Sequence, residues 1–201
     1  MAQDPENFLI LTLESGPVVI KLRPDVAPGH VARIKELARE GFYDGVVFHR
    51  VIPGFMAQGG DPTGTGAGGS NKPNLTAEFS DVPHVRGVCS MARTPNPNSA
   101  NSQFFLMRAA YPMLEQRYTA FGRVIAGQEV VVAIKTGEPV ADPQDRMERV
   151  RLLADLPPGE RPKVRVIDPA GPWFKAELAR VRAADGAGFS ACDVDIPAEV
   201  R

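Results

Sequence analysis

The chain has 201 residues, of which 43% are apolar and 23% are charged, and its formal net charge is −1. This length and composition suit one globular domain, and the near-neutral charge argues against a nucleic acid or a membrane surface as the main partner. The 19 glycines and 19 prolines predict many turns and long loops rather than a helical bundle.

The first half of the chain predicts short strands around one helix. Phe8–Leu13 and residues 18–22 are β-rich runs that a Glu-Ser-Gly-Pro turn joins into a hairpin. Pro28 suits the first turn of a helix and Gly41 its C-terminal cap, and a further strand is predicted at residues 46–51.

The second half begins with a long loop and returns to strands. Residues 59–73 are mostly Gly, Thr, Ser, Asn and Pro without an apolar period, and a loop of this length inside a compact domain is usually functional. Further strands are predicted at residues 87–92, 102–107, 120–125 and 150–154, and a second helix at residues 128–135. Many short strands with two helices indicate a closed β-barrel capped by helices.

A Leu-Pro-Pro-Gly break ends a predicted domain at residues 1–156 and begins a C-terminal extension at residues 157–201. The extension predicts a short strand and a helix, whose Trp173 and Phe174 we expect to face the domain. Because its apolar content is too small for a core of its own, we expect the extension to pack on the domain.

Two cysteines, Cys89 and Cys192, lie far apart, and neither is part of a Cys-x-x-Cys pair. This spacing does not suit a zinc site, and we expect two free thiols in a reducing compartment, with one disulfide as the alternative. The N-terminal stretch has no basic region before its apolar residues, and no apolar run is long enough to span a membrane. We therefore expect a cytoplasmic protein, or a periplasmic one if a signal peptide has been removed.

Several familiar sites do not fit the sequence. Residues 64–69 match the G-x-G-x-x-G pattern of dinucleotide-binding proteins, but Ser-Asn-Lys-Pro-Asn follows where a helix would have to begin. No G-x-S-x-G elbow marks a hydrolase nucleophile. His30, His49 and His84 are scattered, and each alone is more often a packed or surface histidine than a ligand or a base. We therefore predict no cofactor and no metal.

One segment, residues 48–61 with the sequence FHRVIPGFMAQGGD, combines a cation, large apolar side chains and an amide over a strand, a turn and a strand. Its candidate groups are Arg50, Phe55, Met56 and Gln58, which share a face if the turn folds back. Gln103 and Phe105 project from one face of a later strand. Together these groups would form an apolar recess with a guanidinium and two amides at its rim. The alternative for each residue alone is a core aromatic or a surface ion pair.

The segments FHRVIPGFMAQGGD and SQFF, the GTGAGGSN loop and the later FGRV closely resemble the cyclophilins. The resemblance runs from about Phe8 to about Ala154. It implies an eight-stranded antiparallel β-barrel closed by two α-helices, with the site in a groove on its outer face. The C-terminal extension departs from the minimal family pattern.

The resemblance also implies roles for individual residues. Arg50 becomes the main catalytic residue, with Phe55 and Gln58 beside it in the catalytic set. The residues that it assigns to substrate binding are Met56, Ala92, Arg93, Gln103, Phe105, Met113, Leu114 and Tyr118. Phe55, Met56, Phe105 and Leu114 form the proline pocket in this assignment. Gln58 and Gln103 orient the substrate, and the Ala92 backbone grips the residue before proline.

Three of these residues differ from their counterparts in many eukaryotic members. Arg93 stands where those members carry asparagine, Met113 where they carry a tryptophan that helps hold cyclosporin, and Tyr118 where they carry histidine. The differences at Met113 and Tyr118 are of the bacterial type. They predict weak cyclosporin binding together with retained isomerase activity.

The implied reaction is rotation about the peptide bond before proline, which faces a barrier of about 18–20 kcal/mol and breaks no bond. A fixed guanidinium can stabilise the pyramidal prolyl nitrogen of the twisted state. The resemblance thus predicts a monomeric peptidyl-prolyl cis-trans isomerase that acts on proline-containing peptides and unfolded proteins, assists folding and needs no cofactor. The alternative is a proline-segment binding module or chaperone with little catalysis.

Overall fold

A computed structural model describes residues 4–166, 172–185, 194–195 and 198–200 of the chain. The strands are β1 (Phe8–Leu13), β2 (Gly16–Leu22), β3 (Val46–Val47), β4 (Arg50–Ile52), β5 (Met56–Gly59), β6 (Val88–Met91), β7 (Phe104–Met107), β8 (Ala120–Ala126), β9 (Arg146–Met147), β10 (Arg149–Leu152), β11 (Val164–Val166) and β12 (Ala198–Val200). The α-helices are α1 (Pro28–Arg39), α2 (Gln128–Ala133) and α3 (Pro172–Asp185). Within the described ranges, no helix has both the length and the apolar character to cross a membrane.

Eight strands form one curled antiparallel sheet in the order β10-β1-β2-β8-β6-β7-β5-β4. Its edge strands are β10 and β4, and no ladder joins them directly in the described part of the chain. The short strands that precede them, β9 and β3, pair with each other in a separate two-stranded sheet. The prediction of a mainly β protein with eight antiparallel strands is confirmed, whereas the ladder of the sheet is not continuous around a closed barrel.

Strand β1 is buried on both faces, which explains why its apolar residues do not alternate with polar ones. Leu9 packs into the main core, whereas Phe8 and Ile10 belong to a second apolar cluster on the other face of the sheet. Val164 of β11 and Ala198 of β12 pack against this second cluster. Part of the chain beyond residue 156 therefore covers the outer face of the strand.

Helix α1 follows the sequence signals closely. Pro28 occupies its first turn, and Val31, Ile34 and Leu37 are buried in the main core. Gly41, just beyond the helix, has φ +69°, a left-handed conformation that glycine adopts at little cost.

The strand predicted at residues 46–51 is two strands in the structure. Between β3 and β4, the N–H of Phe48 donates to the Asp145 carbonyl oxygen at 2.9 Å, and the His49 carbonyl oxygen accepts from the Val140 N–H at 3.0 Å. These residues thus bond to a loop rather than to a neighbouring strand of the sheet. The other predicted elements that the structure describes are present, with boundaries that agree within about two residues.

Further contacts of the described parts of the extension with the domain involve residues 194 and 195. Val194 is buried, and the Arg86 guanidinium Nε donates to the Asp195 carboxylate at 2.8 Å. The side chains of Trp173 and Phe174 lie outside those that the structure describes, so packing through them stays a prediction.

Cys89 is a free thiol in β6 and is fully buried. Burial raises the pKa of this thiol well above its ordinary value, so Cys89 is held in the unreactive protonated form. Cys192 lies outside the described residues.

We expect Phe8→Ala to lower the free energy of unfolding by about 3–5 kcal/mol, because it empties a buried site in the second cluster. Urea denaturation followed by circular dichroism measures this loss. Lys21→Ala, at the exposed position that pairs with Phe8 across β1 and β2, is the matched control. If Phe8→Ala lost less than about 1 kcal/mol, no more than the control, the packing described for the outer face of β1 would be wrong.

Candidate active site

A cleft of about 230 Å³ on the outer face of the sheet gathers nine of the eleven predicted site residues. They are Arg50, Phe55, Met56, Gln58, Ala92, Arg93, Phe105, Leu114 and Tyr118. The remaining two residues, Gln103 and Met113, do not line this cleft. Residues more than 50 positions apart in the chain therefore meet at one surface, as the resemblance implies.

Strand register places the key side chains in one row. Arg50 of β4 pairs with Gln58 of β5, and Gln58 pairs with Phe105 of β7. Directly opposite residues of neighbouring antiparallel strands project from the same face. The turn between β4 and β5 contains Gly54 at φ +68°, which lets the chain fold back tightly enough for this pairing. A guanidinium, an amide and an aromatic ring consequently lie side by side.

The apolar half of the cleft is a packed recess. Met56, Phe105 and Leu114 are at most 8% exposed. The ring of Tyr118 meets Phe105 edge-on, with centroids 5.7 Å apart. The ring centroids of Phe55 and Tyr111 lie 4.5 Å apart. Tyr111 is an aromatic residue that the sequence analysis did not single out. Such a recess suits a small apolar ring.

The polar half is a chain of hydrogen bonds. The Arg50 Nε donates to Glu138 Oε1 at 2.6 Å, and its Nη1 donates to Gln58 Oε1 at 3.5 Å. Gln58 Nε2 in turn donates to Gln103 Oε1 at 2.9 Å. The amides of Gln58 and Gln103 therefore bond to each other, and the predicted contact of each with a substrate stays a prediction.

Gln103 lines a neighbouring cleft that the glycine-rich loop borders. Its Nε2 donates to the carbonyl oxygens of Gly66 and Gly68 at 2.9 and 2.8 Å. The loop itself wraps the fully buried carboxylate of Asp61, which accepts from the backbone N–H groups of Thr63, Gly66 and Gly68. The G-x-G-x-x-G pattern thus surrounds a side chain of the protein itself.

Two observations explain this arrangement around Asp61. A Cβ at Gly68 would lie 2.1 Å from the Asp61 carboxylate, so only glycine fits there. Burial raises the pKa of Asp61, but the hydrogen bonds from Thr63, Gly68 and Gly66 outweigh it and hold the pKa below its ordinary value. The carboxylate is therefore charged at neutral pH and fixes the loop beside Gln103.

Arg93 forms one wall of the cleft. Its guanidinium carbon lies 4.5 Å from the centre of the Tyr118 ring, a cation–π contact. The guanidinium also donates to the carbonyl oxygens of Arg117, at 2.6 and 3.0 Å, and of Thr94, at 2.9 Å. Arg93 thus holds Tyr118 in place, and its direct contact with a substrate stays a prediction. Met113, by contrast, is 65% exposed and lies outside the recess.

All three histidines are buried in the fold. His30 Nδ1 lies 2.6 Å from the Glu78 carboxylate. His84 lies behind the recess. Its ring is stacked on that of Phe105, with centroids 6.5 Å apart, and its Nε2 is 3.0 Å from Ser90 Oγ. Burial lowers the pKa of His84 to about 4. Among the described residues, no group of three or more His, Cys, Asp or Glu side chains is placed to hold a metal ion.

A second apolar cleft, of about 370 Å³, lies elsewhere on the sheet. Val82, Val85, Ile125 and the cations Lys21 and Arg23 are among the residues that line it. It contains none of the predicted site residues, and it lacks the row of guanidinium, amide and aromatic ring found in the smaller cleft.

Comparison with known proteins decides the family. The sequence profile of the family described as "Cyclophilin type peptidyl-prolyl cis-trans isomerase/CLD" matches residues 8–153. The chain belongs to the cyclophilin-type peptidyl-prolyl cis-trans isomerases. The predicted family and its isomerase activity are thereby confirmed.

Named relatives agree with this assignment. A probable peptidyl-prolyl cis-trans isomerase of Brucella suis biovar 1 (strain 1330) is 55% identical over 147 residues, which are 68% of this chain and 75% of that protein. A peptidyl-prolyl cis-trans isomerase of Synechococcus elongatus is 38% identical over 148 residues, which are 73% of this chain and 96% of that protein.

Solved cyclophilin structures share the fold. Cyclophilin AquaCyp293 from Hirschia baltica has a TM-score of 0.83 and 32% identity, covering 98% of this chain and 91% of its own. A cyclophilin-type isomerase of Cryptosporidium parvum, crystallised in the presence of the dipeptide Ala-Pro, has a TM-score of 0.68 and 27% identity, covering 72% of this chain and 98% of its own.

The sequence did not single out two groups beside this cyclophilin cleft. Glu138 lies in a loop without apolar periodicity, 88 residues beyond Arg50, so no local pattern marks it. Tyr111 closely precedes the assigned residues Met113 and Leu114, and its aromatic character was the one available signal.

For Arg93→Ala we expect KM for a proline peptide to rise roughly three- to tenfold, with kcat less affected, because Tyr118 loses the cation that holds its ring against Phe105. Steady-state kinetics measure both constants. The matched control is Arg117→Ala, which removes an exposed charge but keeps the carbonyl oxygen that accepts from Arg93. Equal changes in the two variants would show that net charge, rather than the position of Tyr118, matters.

The buried imidazole of His84 predicts a pH-dependent stability. Its pKa falls from 6.5 to about 4 on folding, so the unfolded chain binds more protons between these values. Stability should therefore fall as the pH drops from about 6.5 to 4, by up to roughly 3 kcal/mol from this group. Urea titrations of wild type and His84→Gln over this range measure the difference. Parallel pH profiles for the two proteins would contradict the assignment.

Proposed function

We propose that the cleft binds the proline ring of an X–Pro segment and that Arg50 stabilises the twisted peptide bond. The observation that carries this proposal is the row of Arg50, Gln58 and Phe105 across three paired strands. It sets a charged hydrogen-bond donor directly beside an apolar recess. The Cryptosporidium parvum relative was crystallised in the presence of the dipeptide Ala-Pro, which supports a proline-containing ligand for a cleft of this family.

The reaction requires a hydrogen-bond donor whose contact with the substrate strengthens only in the transition state. Delocalisation of the nitrogen lone pair into the carbonyl creates a barrier of about 18–20 kcal/mol to rotation. Conjugation is lost in the twisted state, and the prolyl nitrogen becomes pyramidal and basic. The planar guanidinium of Arg50 can then donate to this nitrogen. Binding that favours the twisted state over both planar states lowers the barrier.

The apolar recess supplies the fixed point for this rotation. Met56, Phe105 and Leu114 are buried and offer only apolar contacts to a pyrrolidine ring. Burial of such a ring contributes roughly 2 kcal/mol of binding energy. With the ring held, the segment on the N-terminal side of the bond turns. The Ala92 N–H is already bonded to the Gln103 carbonyl oxygen, so the Ala92 carbonyl is the backbone group that meets the residue before proline.

Gln58 acts in this account through Arg50. Gln58 Oε1 accepts from Arg50 Nη1, and Gln58 Nε2 donates to Gln103 Oε1. Gln103 is itself fixed, because its Nε2 donates to the carbonyl oxygens of Gly66 and Gly68. The amide of Gln58 is thus oriented before any substrate arrives. Pre-organised donors avoid the cost of reorientation during the reaction.

The scaffold and the partners complete the proposal. We infer that the curled sheet closes into a barrel. The short strands β3 and β9 pair with each other, and they lead directly into the edge strands β4 and β10. Met113, 65% exposed outside the recess, offers no aromatic wall for cyclosporin, which supports weak binding of that ligand. The clients are proline-containing peptides and unfolded proteins, on which the enzyme acts as a monomer to assist folding.

We expect Arg50→Ala to lower kcat/KM by roughly 100- to 1000-fold, the effect of removing one pre-organised transition-state donor. NMR exchange spectroscopy on a short Ala-Pro peptide, with wild type and variant at matched concentration, measures cis-trans exchange directly. Arg50→Lys keeps the charge without the planar fork and should remain strongly impaired. Arg23→Ala removes a guanidinium that pairs with Asp25 outside the cleft and is the matched control.

Two results would contradict the proposal. Fast exchange in Arg50→Ala would remove Arg50 from the catalytic role. Peptide binding by wild type without faster exchange would make this chain a binding module on a cyclophilin scaffold.

A further inference from the structure

The carboxylate of Glu138 contacts the guanidinium that the proposed function makes catalytic. Its Oε1 accepts from Arg50 Nε at 2.6 Å. We propose that Glu138 is a positioning residue that holds the Arg50 guanidinium in the orientation needed for the reaction. The inference rests on the proposed role of Arg50, and it assigns a part in the reaction to a loop outside the cleft.

Glu138 is the stronger of the two anchors on Arg50. The contact with Glu138 is short and joins opposite charges, whereas the contact with Gln58 Oε1 is 3.5 Å long and involves a neutral amide. The Arg50 side chain is 38% exposed, so packing alone does not hold it. A long side chain of this kind samples many rotamers unless hydrogen bonds fix it.

The backbone fixes Glu138 directly opposite Arg50. Val51 and Gly137 exchange two backbone hydrogen bonds, at 2.8 and 2.9 Å. The Val140 N–H donates to the His49 carbonyl oxygen at 3.0 Å. The residues that flank Arg50 are thus bonded to the segment that contains Glu138. The fold therefore places the backbones of Glu138 and Arg50 opposite each other, within reach of the hydrogen bond between their side chains.

Gly137 makes this tight segment feasible. A Cβ at this position would lie 2.7 Å from both the Pro139 carbonyl oxygen and Val140 Cα, closer than real Cβ atoms approach. The backbone after Gly137 can therefore fold closely upon itself and keep Glu138 turned towards Arg50.

The hydrogen bonds to Glu138 and Gln58 leave some N–H groups of the Arg50 guanidinium available to a substrate. A guanidinium has five N–H groups, one on Nε and two on each Nη. Within the described ranges, the side-chain hydrogen bonds of Arg50 engage its Nε and Nη1. With these fixed, the direction of Nη2 is fixed as well, because the guanidinium is planar. The orientation of the remaining donors thus depends on the contact with Glu138.

Glu138 has a second, opposing effect on the cleft. Its negative charge lowers the positive potential that Arg50 offers to the prolyl nitrogen. The Glu138 side chain is 58% exposed, so water screens this effect. The hydrogen bond to Nε, by contrast, is local and directional. We therefore expect positioning to dominate, so that loss of Glu138 slows the reaction.

The first test compares Glu138→Ala and Glu138→Gln in the exchange assay on the Ala-Pro peptide. Glu138→Ala should lower kcat roughly three- to tenfold and leave KM nearly unchanged, because the apolar recess that binds the ring is intact. Glu138→Gln keeps an oxygen acceptor for Nε and should stay within about twofold of wild type. Glu14→Ala, at the exposed turn between β1 and β2, is the matched control for loss of a carboxylate.

A spectroscopic signature separates positioning from a general loss of stability. The NMR resonance of the Arg50 Nε–H should shift and exchange faster with water in Glu138→Ala, and should stay near its wild-type position in Glu138→Gln. Unchanged resonance and rate in Glu138→Ala would overturn the proposal. A faster rate would also overturn it and make Glu138 an inhibitory cap. Equal impairment of the Ala and Gln variants would overturn positioning through the hydrogen bond.

A double-mutant cycle with Arg50→Ala distinguishes this inference from the proposed function. If Glu138 acts through Arg50, Glu138→Ala should have no further effect on the rate when Arg50 is already alanine. A strong effect of Arg50→Ala with none of Glu138→Ala would refute the present inference alone. An effect of Glu138→Ala without any effect of Arg50→Ala would refute both.

Discussion

The site depends on the register of three neighbouring strands. Because β4, β5 and β7 pair so that Arg50, Gln58 and Phe105 lie directly opposite one another, a cation, an amide and an aromatic ring share one face of the sheet. A slip of one residue in any of these ladders would turn one of the three side chains to the opposite face. The buried apolar residues on the inner face, such as Phe104 and Ala57, oppose such a slip.

Around this row, a series of polar contacts orients the side chains. Asp61 organises the glycine-rich loop, the loop holds Gln103, and Gln103 holds Gln58. From the other side, the loop that carries Glu138 is bonded to the backbone on both sides of Arg50. Catalysis by a donor that must meet a nitrogen only in the twisted state is sensitive to small errors of direction. In the proposed mechanism, the polar contacts beyond the cleft therefore serve the same reaction as the residues that line it.

Local patterns in the sequence were sufficient for most elements, whereas much of the cleft was predicted only through the resemblance to the cyclophilins. Apolar runs marked β1 and β2, and Arg50 and Gln58 lie in one segment whose tight turn brings them opposite each other. Nine of the eleven residues that the cyclophilin resemblance implied line one cleft. Glu138 could not be found in this way, because its meeting with Arg50 depends on long-range backbone pairing. Likewise, no local signal in the sequence predicts that the Arg93 guanidinium packs on the Tyr118 ring or that the Gln103 amide bonds to the glycine-rich loop.

The most direct test of the account is the location of the proline ring of a bound Ala-Pro peptide, measured by intermolecular nuclear Overhauser effects in solution. We expect contacts from the ring protons to Met56, Phe105 and Leu114, with the peptide nitrogen close to Arg50. Contacts to Val82, Val85 and Ile125, in the larger second cleft, would instead show that the row of Arg50, Gln58 and Phe105 is not the site at which the peptide bond turns.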